Sequence, residues 1–427
     1  MKTSNYNVTV DNGTENILYN TLSRKYVVYA SEKKEYMENL LNNLNKDRYE
    51  LEEAEIIKKL ALNGLVVDDN MDELSKIKFY ENKAKFQSEI FYLVIQPTLN
   101  CNFRCVYCYE EHRNIRMNDS SRDSLVEFVK GITKKVKTLC IAWFGGEPMM
   151  EFERIKELTR HFQDACKENG CDYIARMTSN AYLFSDESIN MLESLAIQKL
   201  QITLDGTKET HDLKRPLANG EGTFNKVMGN LIKIIDKDVT VTLRVNVDEK
   251  NIEYIPKLFD MIPEDKRSKV NLNICNVFQN KEKLDLYELY KTAVDKGFRY
   301  YNTSNTYSKC EGNLKNSFTV QPDCRITPCS ICAEKGFYYG KISEKGELRI
   351  NNKSEYFKFH TRTVFDNERC IKCIDLPMCM GGCACARYKE INFCTKEYTH
   401  EINLNDIVKL HYHNDLTHNL IQEVNVI

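Results

Sequence analysis

Apolar residues between positions 91 and 300 occur in short runs that alternate with stretches of helical spacing. The six runs are IFYLVIQP, TLCIAWF, YIARMTS, LQITLD, VTVTLRVNV and VNLNICNVF. Each has the length and composition of a buried strand, and a stretch of helical apolar spacing follows, such as SRDSLVEFVKGITKKV after the first. Strands that alternate with helices form parallel sheets, so we predict an α/β fold, a partial (β/α)6 TIM-like barrel whose closure the pattern leaves open.

Residues 1–90 follow a different pattern. Three strand-like runs come first, YNVTV, NILYNT and KYVVYA, and two stretches of helical spacing follow, SEKKEYMENLLNNL and EEAEIIKKLALNGL, with VVDDNMDEL ending the unit. Strands followed by helices in so short a unit suggest a winged-helix-like α+β module. An exposed strand edge there could bind an extended peptide by strand addition, and a packing appendage is the alternative.

From about residue 301 the alternation is lost, and cysteines, glycines and short turns replace it. We therefore predict three domains: the module at 1–90, the barrel at 91–300 and a cysteine-rich domain at 301–427. The formal net charge of −2 gives no reason to expect nucleic-acid binding. The chain begins without the apolar stretch of a signal peptide, and no run approaches the ~20 apolar residues of a membrane span. We expect a cytoplasmic protein without a membrane partner.

The 17 cysteines are the outlying feature of the composition. Three lie within residues 101–108, most of the others lie between 310 and 394, and residues 1–100 contain none. In a reducing compartment such clustering indicates metal or iron–sulfur sites rather than disulfides.

The segment CNFRCVYCYE supplies Cys101, Cys105 and Cys108 with the spacing C-x3-C-x2-C. A four-iron cluster normally takes one thiolate per iron, so three cysteines on one loop leave one iron open. An open position is typical of a catalytic metal centre. The alternative is a zinc knuckle that a distant Cys or His completes.

Other motifs come at or near the ends of strands two to five, namely GGEP (145–148), SNA (179–181), DG (205–206) and RVN (244–246). Right-handed crossovers place every strand-to-helix loop of such a fold on one face. We therefore expect these motifs and the cysteine triad to converge there.

The pattern C-x3-C-x-Y-C, directly after a strand and ahead of GGEP, resembles the radical S-adenosylmethionine (SAM) enzymes. In that family the open iron chelates the amino and carboxylate groups of SAM, and an electron from the [4Fe-4S] cluster cleaves SAM to a 5′-deoxyadenosyl radical. The resemblance implies that the three triad cysteines hold this cluster. It also implies a set of SAM-binding positions: Tyr107, Gly145, Gly146, Glu147, Pro148, Asn180, Arg244 and Asn246. Residue 181 is alanine where the family often has glycine.

The stretch CIKCIDLPMCMGGC, with cysteines before and after it, resembles the SPASM extension of radical SAM maturases, which holds two auxiliary [4Fe-4S] clusters. The resemblance implies three clusters in all. It assigns the outer auxiliary cluster to four cysteines: Cys370, Cys373, Cys379 and Cys394. It assigns the inner cluster to Cys310, Cys329 and Cys383.

The fourth ligand of the inner cluster stays open. Cys324 stands where the family usually has glycine, and it is one of four possible ligands with Cys332, Cys385 and Cys275. The alternative is an iron that binds a substrate thiolate. Cys385 could also replace Cys394 in the outer set.

Two residues are candidates for a direct catalytic role. Asp205 could be a general base, although a structural acceptor for backbone amides is the stronger interpretation. Cys275 could donate a hydrogen atom to a substrate radical, and simple packing is the alternative. We interpret His211, Asp212 and Arg215 as polar residues that stabilise a loop.

The predicted function is a radical SAM maturase that installs a thioether crosslink in a ribosomally made precursor peptide. The N-terminal module would bind the leader of that peptide, and flavodoxin or ferredoxin would supply electrons. The alternatives are formylglycine formation, as in anaerobic sulfatase maturation, and carbon–carbon crosslinking or epimerisation. From another class comes a non-catalytic metalloprotein that only binds a peptide.

Overall fold

The computed structural model describes residues 1–46, 48–280, 284–300, 310–399, 402–422 and 426–427. The strands in this part of the chain are β1 (Lys2–Thr3), β2 (Asn7–Asp11), β3 (Glu15–Asn20), β4 (Tyr26–Ala30), β5 (Val66–Val67), β6 (Ile90–Ile95), β7 (Thr138–Trp143), β8 (Asp172–Ser179), β9 (Ile197–Thr203), β10 (Thr240–Val247), β11 (Val270–Asn276), β12 (Ser317–Val320), β13 (Arg325–Thr327), β14 (Gly340–Ile342) and β15 (Leu348–Ile350).

The α-helices of the described residues are α1 (Lys34–Asn42), α2 (Leu51–Leu62), α3 (Glu73–Phe86), α4 (Asp119–Thr133), α5 (Phe152–Asn169), α6 (Asp186–Asn190), α7 (Lys208–Lys214), α8 (Phe224–Ile235), α9 (Ile255–Asp260), α10 (Glu264–Arg267), α11 (Tyr287–Asp295), α12 (Ser330–Glu334), α13 (Lys353–Thr361), α14 (Glu368–Ile371), α15 (Leu376–Cys379), α16 (Ala384–Lys389), α17 (Thr395–Thr399) and α18 (Leu404–Thr417).

The central sheet confirms the predicted βα units. Strands β6 to β11 lie side by side in chain order, and every neighbouring pair is parallel. Strand β6 pairs on its other side with β12, so in the described residues β6 and β11 stay unpaired with each other and the barrel is open. The loops after the parallel strands therefore share one edge, where such folds place their sites.

The core lies between this sheet and the helices that follow its strands. On α8 the buried residues include Phe224, Val227, Leu231 and Ile234, which share one face of the helix. Residues of β6 alternate between buried and half-buried positions, as expected for a strand with one face on the core and one toward the barrel interior.

The cysteine-rich region begins as a continuation of the same sheet. Strand β12 runs parallel to β6, and β13, β14 and β15 follow as antiparallel neighbours. The proposed domain boundary at residue 300 stays a prediction, and the sheet continues across it.

The N-terminal module contains the three predicted strands as an antiparallel sheet in the order β2-β3-β4. Helices α1 and α2 contribute Met37, Leu40 and Ile57 to the hydrophobic cluster on one face of this sheet. Helix α18 contributes Val408 and Tyr412 to the cluster on the other face. The module is thus packed against the C-terminal region on one side.

Helix α3 was not predicted, because the pattern indicated no element after VVDDNMDEL in the module at 1–90. Its buried residues are Glu73, Ile77, Glu81 and Lys85, four positions apart, so the face that packs inward is mostly polar. The buried ammonium of Lys85 donates to the backbone oxygen of Arg362 at 3.0 Å. A search for apolar periodicity misses such a helix, because three of its four buried residues are polar or charged.

No helix among the described residues is long and apolar enough to cross a membrane.

Candidate functional site

A cavity of about 650 Å³ opens at the carboxyl ends of the parallel strands. Ten of the residues that the sequence analysis assigned to the cluster or to SAM line this one cavity. They are Cys101, Cys105, Tyr107, Cys108, Gly145, Gly146, Glu147, Asn180, Arg244 and Asn246. Pro148 does not line it, and instead begins the short 3-10 turn after GGEP.

The cysteine triad lies in the loop after β6, and backbone hydrogen bonds anchor this loop to the last residue of α7 and the segment that follows it. The amide of Arg104 donates to Pro216 at 2.8 Å, and that of Val106 donates to Lys214 at 3.0 Å. The amide of Phe103 in turn donates to the sulfur of Cys101 at 3.4 Å. Amide donors at the sulfur favour a thiolate, the form that binds metal.

Burial acts in the opposite direction on these thiols. It raises the pKa of Cys101 to about 12, and the nearby Glu147 carboxylate adds to the effect. Burial likewise raises the pKa of Cys105, while the charge of Arg215 lowers it. Metal binding must therefore displace a proton from these groups.

The glycines of GGEP allow a close backbone approach. Gly145 has φ of 83° and Gly146 has φ of 40°, in the region that disfavours side chains. A Cβ at Gly146 would overlap the carbonyl oxygen of Asn100, the residue before the triad. The strip after β7 can therefore lie against the cysteine loop only with glycine at this position.

The Glu147 carboxylate ties this strip to the loop after β8. It accepts hydrogen bonds from the Ser179 hydroxyl at 2.8 Å, the Asn180 amide at 2.7 Å and the Met149 amide at 3.0 Å. The side chain of Asn180 donates to Asn102 in the cysteine loop at 2.8 Å. Hydrogen bonds thus connect the loops after β6, β7 and β8 at the cavity.

Tyr107, between Cys105 and Cys108, is fixed by its hydroxyl group. That hydroxyl donates to the Asp205 carboxylate and accepts from Arg215 Nη1 at 2.7 Å and from Asn246 Nδ2 at 3.0 Å. Arg244 donates from Nε to Asn246 Oδ1 at 3.0 Å, which connects the RVN motif to the same network.

Arg215 lies at the cavity, although the sequence suggested only a role in loop stabilisation. It is 7% exposed, lines the cavity and lies 3.9 Å from Asp205. The thiolate of Cys105 is the strongest charge that raises the pKa of Arg215, against the effect of burial. The buried Nε of Arg215 has no hydrogen-bond partner. Its sequence signal was an arginine nine residues after DG, a feature that many loops contain.

The two candidate catalytic residues lie beside the cavity without lining it. Asp205 is fully buried, and its carboxylate accepts the Asn246 amide at 2.7 Å, as the structural interpretation expects. The thiol of Cys275 donates to Asn273 at 3.0 Å on the interior face of β11. Neither geometry tests a catalytic role, and both roles stay predictions.

A second missed residue is Glu110, two positions after the triad. Its Oε2 accepts the Gly146 amide at 3.0 Å, and its buried Oε1 has no partner. Burial raises the pKa of Glu110 to about 7. Helix α12 closes the cavity beside it, where the hydroxyls of Tyr109 and Ser330 are 3.1 Å apart.

The cysteines assigned to the outer cluster lie close together. Burial raises the pKa of Cys370, and the charges of Cys379, Cys373 and Cys394 add to the effect. In the inner set, burial raises the pKa of Cys329 to about 11, and Cys310 and Cys383 contribute.

Backbone amides again reach the predicted inner ligands. The backbone amides of Ala384 and Gly312 act to lower the pKa of Cys310, and those of Cys332 and Ile331 act to lower the pKa of Cys329, both against the larger effect of burial. The Cys324 thiol instead donates to the Ser121 carbonyl at 3.2 Å.

Comparison with known proteins decides the class of this fold. The sequence pattern of the Radical SAM superfamily matches residues 95–262. Residues 95–262 are a radical SAM domain. The cysteine-type anaerobic sulfatase-maturating enzyme of Clostridium novyi is 26% identical to the chain over 342 residues, which are 70% of this chain and 89% of that enzyme.

Two solved structures share the fold of this chain. The structure of native anSMEcpe with bound AdoMet and Cp18Cys peptide has a TM-score of 0.55 and 19% identity, covering 78% of this chain and 100% of that one. Streptococcus suis SuiB bound to precursor peptide SuiA has a TM-score of 0.50 and 15% identity, covering 91% of this chain and 97% of that one.

The cavity fits the groups that a radical SAM domain binds. Three thiols, one with an amide donor at its sulfur, lie on one loop, and a glycine strip lies against that loop where a Cβ would collide. Glu110 Oε1 and Arg215 Nε are buried beside them without partners, as an acceptor and a donor for a polar ligand.

Proposed function

We propose that the chain is a radical SAM maturase that forms a thioether crosslink between a cysteine sulfur and a carbon of a precursor peptide. The observation that carries the proposal is the single cavity that contains the triad together with the residues of GGEP, Asn180 and the RVN motif. When bound there, the cluster and SAM supply a 5′-deoxyadenosyl radical that abstracts hydrogen from substrate.

The chain's own residues position these groups and exclude water. Cys101, Cys105 and Cys108 would hold the cluster, and the backbone at Gly145 and Gly146 would approach the methionine part of SAM. Arg244, Asn246 and Tyr107 would contact its polar groups and adenine. The seven cysteines assigned to the SPASM-like region would hold two auxiliary clusters. We also propose a cytoplasmic location with flavodoxin or ferredoxin as electron donor, because the ligand thiols must stay reduced.

The mouth of the cavity fits a peptide side chain. Val277 and Phe278 after β11 and Ile331 on α12 line it, and Phe278 is 77% exposed. Apolar groups beside polar ones are typical of sites that bind small parts of a larger ligand. The printed names of the relatives, which include a sulfatase-maturating enzyme and a protein bound to a precursor peptide, support a polypeptide substrate.

The edge of β4 supports a leader-binding role for the N-terminal module. Val426 pairs there in parallel with Val28, and the Ile427 amide donates to the Val28 carbonyl at 2.9 Å. Lys59 on α2 donates to the Val426 carbonyl at 2.7 Å. This edge thus accepts an extended segment, and we propose that a leader peptide pairs there after displacing residues 426–427.

Formylglycine formation is the second candidate, favoured by the sulfatase-maturating relative. It requires a base near the substrate, and Asp205 is the acidic residue that the sequence suggested. Tyr107, Asn246 and Arg215 enclose the Asp205 carboxylate, so it does not reach the cavity as a base. Formylglycine formation therefore has less support than thioether formation. Two other reactions, carbon–carbon crosslinking and an epimerisation in which Cys275 donates the hydrogen atom, would be distinguished from these by the product.

The test begins with anaerobic reconstitution of the full chain, followed by SAM and dithionite. We expect 5′-deoxyadenosine from wild type and from Cys140→Ala, a control that removes a buried strand cysteine, and none from Cys105→Ala. A fully iron-loaded wild type without product would contradict the enzyme and favour the peptide-binding metalloprotein.

The product is then sought on short cysteine-containing peptides offered as substrates. Formation of a thioether lowers the mass of the peptide by two hydrogens and leaves one fewer thiol that iodoacetamide can alkylate. Formylglycine instead gives an aldehyde that reacts with hydroxylamine. Deletion of residues 426–427 should tighten peptide binding, measured by fluorescence anisotropy. Unchanged affinity would contradict binding at the β4 edge.

A further inference from the structure

Three cysteine sulfurs meet at the helix that closes the cavity. The sulfurs of Cys329, Cys332 and Cys385 all lie within 4.8 Å of one another. Cys329 precedes α12, Cys332 lies within it, and Cys385 lies on α16. The structure joins Cys332 and Cys385 as a disulfide.

The other two protein candidates for the fourth inner ligand lie elsewhere. The Cys324 thiol faces α4, where it donates to the Ser121 carbonyl. The Cys275 thiol donates to Asn273 on β11. Cys324 also has φ of 65°, so it occupies the backbone conformation for which the family's glycine is suited.

The position of Cys332 relative to Cys329 is that of a ligand pair. The two residues form a C-x2-C turn, a spacing with which iron–sulfur proteins direct two thiolates at one cluster. The two sulfurs lie within 4.8 Å of each other, with Cys329 directly before α12 and Cys332 inside it. Cys332 is fully buried and Cys385 is 5% exposed, so neither sulfur is accessible to reagents in the solvent.

We propose that Cys332 is the fourth protein ligand of the inner auxiliary cluster, joining Cys310, Cys329 and Cys383, and that Cys385 is the thiol with which Cys332 pairs when the cluster is absent. The inference rests on the auxiliary clusters of the proposed function. A dithiol reductant supplies two electrons and two protons to convert the disulfide to two thiols. The Cys332 thiol then loses its proton as it binds iron.

This ligand set has a chemical consequence for the peptide reaction. With four protein thiolates, every iron of the inner cluster is occupied, and a substrate thiolate finds no open position there. The sulfur of a thioether product would then be held by the cavity rather than by this cluster.

The test measures iron and sulfide in the full chain after reduction with dithiothreitol and anaerobic reconstitution. We expect Cys332→Ala and Cys332→Ser to lose up to one cluster, about four irons, with loss or change of one auxiliary EPR signal. Cys385→Ala and Cys324→Ala should retain wild-type iron. Circular dichroism of the metal-free chains checks that each variant folds.

Full iron and an unchanged EPR spectrum in the folded Cys332 variants would overturn the assignment, and so would loss of a cluster in Cys385→Ala. A wild-type chain that binds only the iron of the triad would instead contradict the auxiliary clusters of the proposed function. As a second readout, tryptic digestion without reduction should give a linked Cys332–Cys385 peptide from the metal-free chain and none from the reconstituted one. The linked peptide in fully loaded protein would exclude Cys332 as a ligand.

Discussion

Arg215 donates a hydrogen bond from Nη1 to the hydroxyl oxygen of Tyr107, 2.7 Å away. Tyr107 lies in the cysteine loop, whereas Arg215 follows α7, 108 positions later in the chain. The same guanidinium lies close enough to Cys105 for each charge to shift the pKa of the other group. A buried cation is thus held beside the triad by a residue of the triad loop.

Arg215→Met is predicted to make the reduction potential of the triad cluster more negative. A nearby positive charge favours the reduced, more negative state, and one unit charge at an effective dielectric constant of ~20 is worth on the order of 2 kcal/mol. For a one-electron couple this corresponds to roughly 90 mV. EPR-monitored potentiometric titration measures the shift.

Two further variants serve as controls for the shift in reduction potential. Arg215→Lys keeps the charge and should move the potential less than Arg215→Met. Arg349→Met, on β15 with a side chain 63% exposed, should leave it unchanged. A wild-type potential in Arg215→Met together with lower SAM cleavage would limit Arg215 to positioning Tyr107.

Asp205→Asn is predicted to destabilise the fold rather than only stop catalysis. The fully buried carboxylate accepts from Tyr107 and Asn246 and lies 3.9 Å from Arg215. Removal of its charge leaves a buried guanidinium without its counter-ion, a change that costs on the order of 3–5 kcal/mol. Urea unfolding measures the loss. Wild-type stability with abolished product formation would favour a general base.

The sequence pattern predicted the parallel sheet well, because its strands are continuous apolar runs between helices of clear periodicity. The motifs at the strand ends converge for the same topological reason. Helix α3 was missed because Glu73, Glu81 and Lys85 form much of its buried face, and their partners are distant in the chain. The partial barrel was predicted, but the strand that pairs with the free side of β6 was not, because β12 comes from beyond residue 300.

The structure explains two positions at which the chain departs from the family pattern. Ala181 and Cys324 stand where glycine is usual, and their φ angles are 62° and 65°. The backbone therefore keeps the conformation while the side chain changes. Arg215 and Cys105 are 110 positions apart in the chain, so no spacing rule could reveal that their charges affect each other.

Gly146→Ala is predicted to disrupt the site through a steric clash. The added Cβ would overlap the Asn100 carbonyl at a φ of 40°, which we expect to cost about 2–4 kcal/mol. SAM affinity, measured by equilibrium dialysis on the reconstituted chain, should fall as well. Gly131→Ala is the matched control, because nothing lies within 4 Å of its added Cβ on α4.

The control substitution should change the free energy of unfolding in the opposite direction or not at all. Alanine in a helix is favoured over glycine by ~1 kcal/mol, so Gly131→Ala should be neutral or stabilising. Equal effects of the two substitutions on stability and on SAM affinity would exclude the close approach of GGEP to the cysteine loop as the cause.

His211 is predicted to make the fold sensitive to acid. Its Nδ1 accepts the Asp205 amide at 3.1 Å, and its Nε2 is 3.1 Å from the Thr223 hydroxyl, which donates to the Arg215 carbonyl. Nδ1 is therefore the unprotonated nitrogen, and a proton added there would face an N–H donor. Burial and the charge of Arg215 lower the pKa of His211 to about 3.

Between pH 6.5 and pH 3 the unfolded chain binds a proton at His211 that the folded chain does not. Stability therefore falls as pH decreases through this range, by at most about 1.4 kcal/mol per pH unit from this group. Urea unfolding at several pH values should give a shallower dependence for His211→Gln, which does not titrate. Thr223→Val keeps the histidine, so it should lower stability yet retain the wild-type slope. Equal slopes in wild type and His211→Gln would show that His211 is already protonated in the folded chain or remains accessible to protons there.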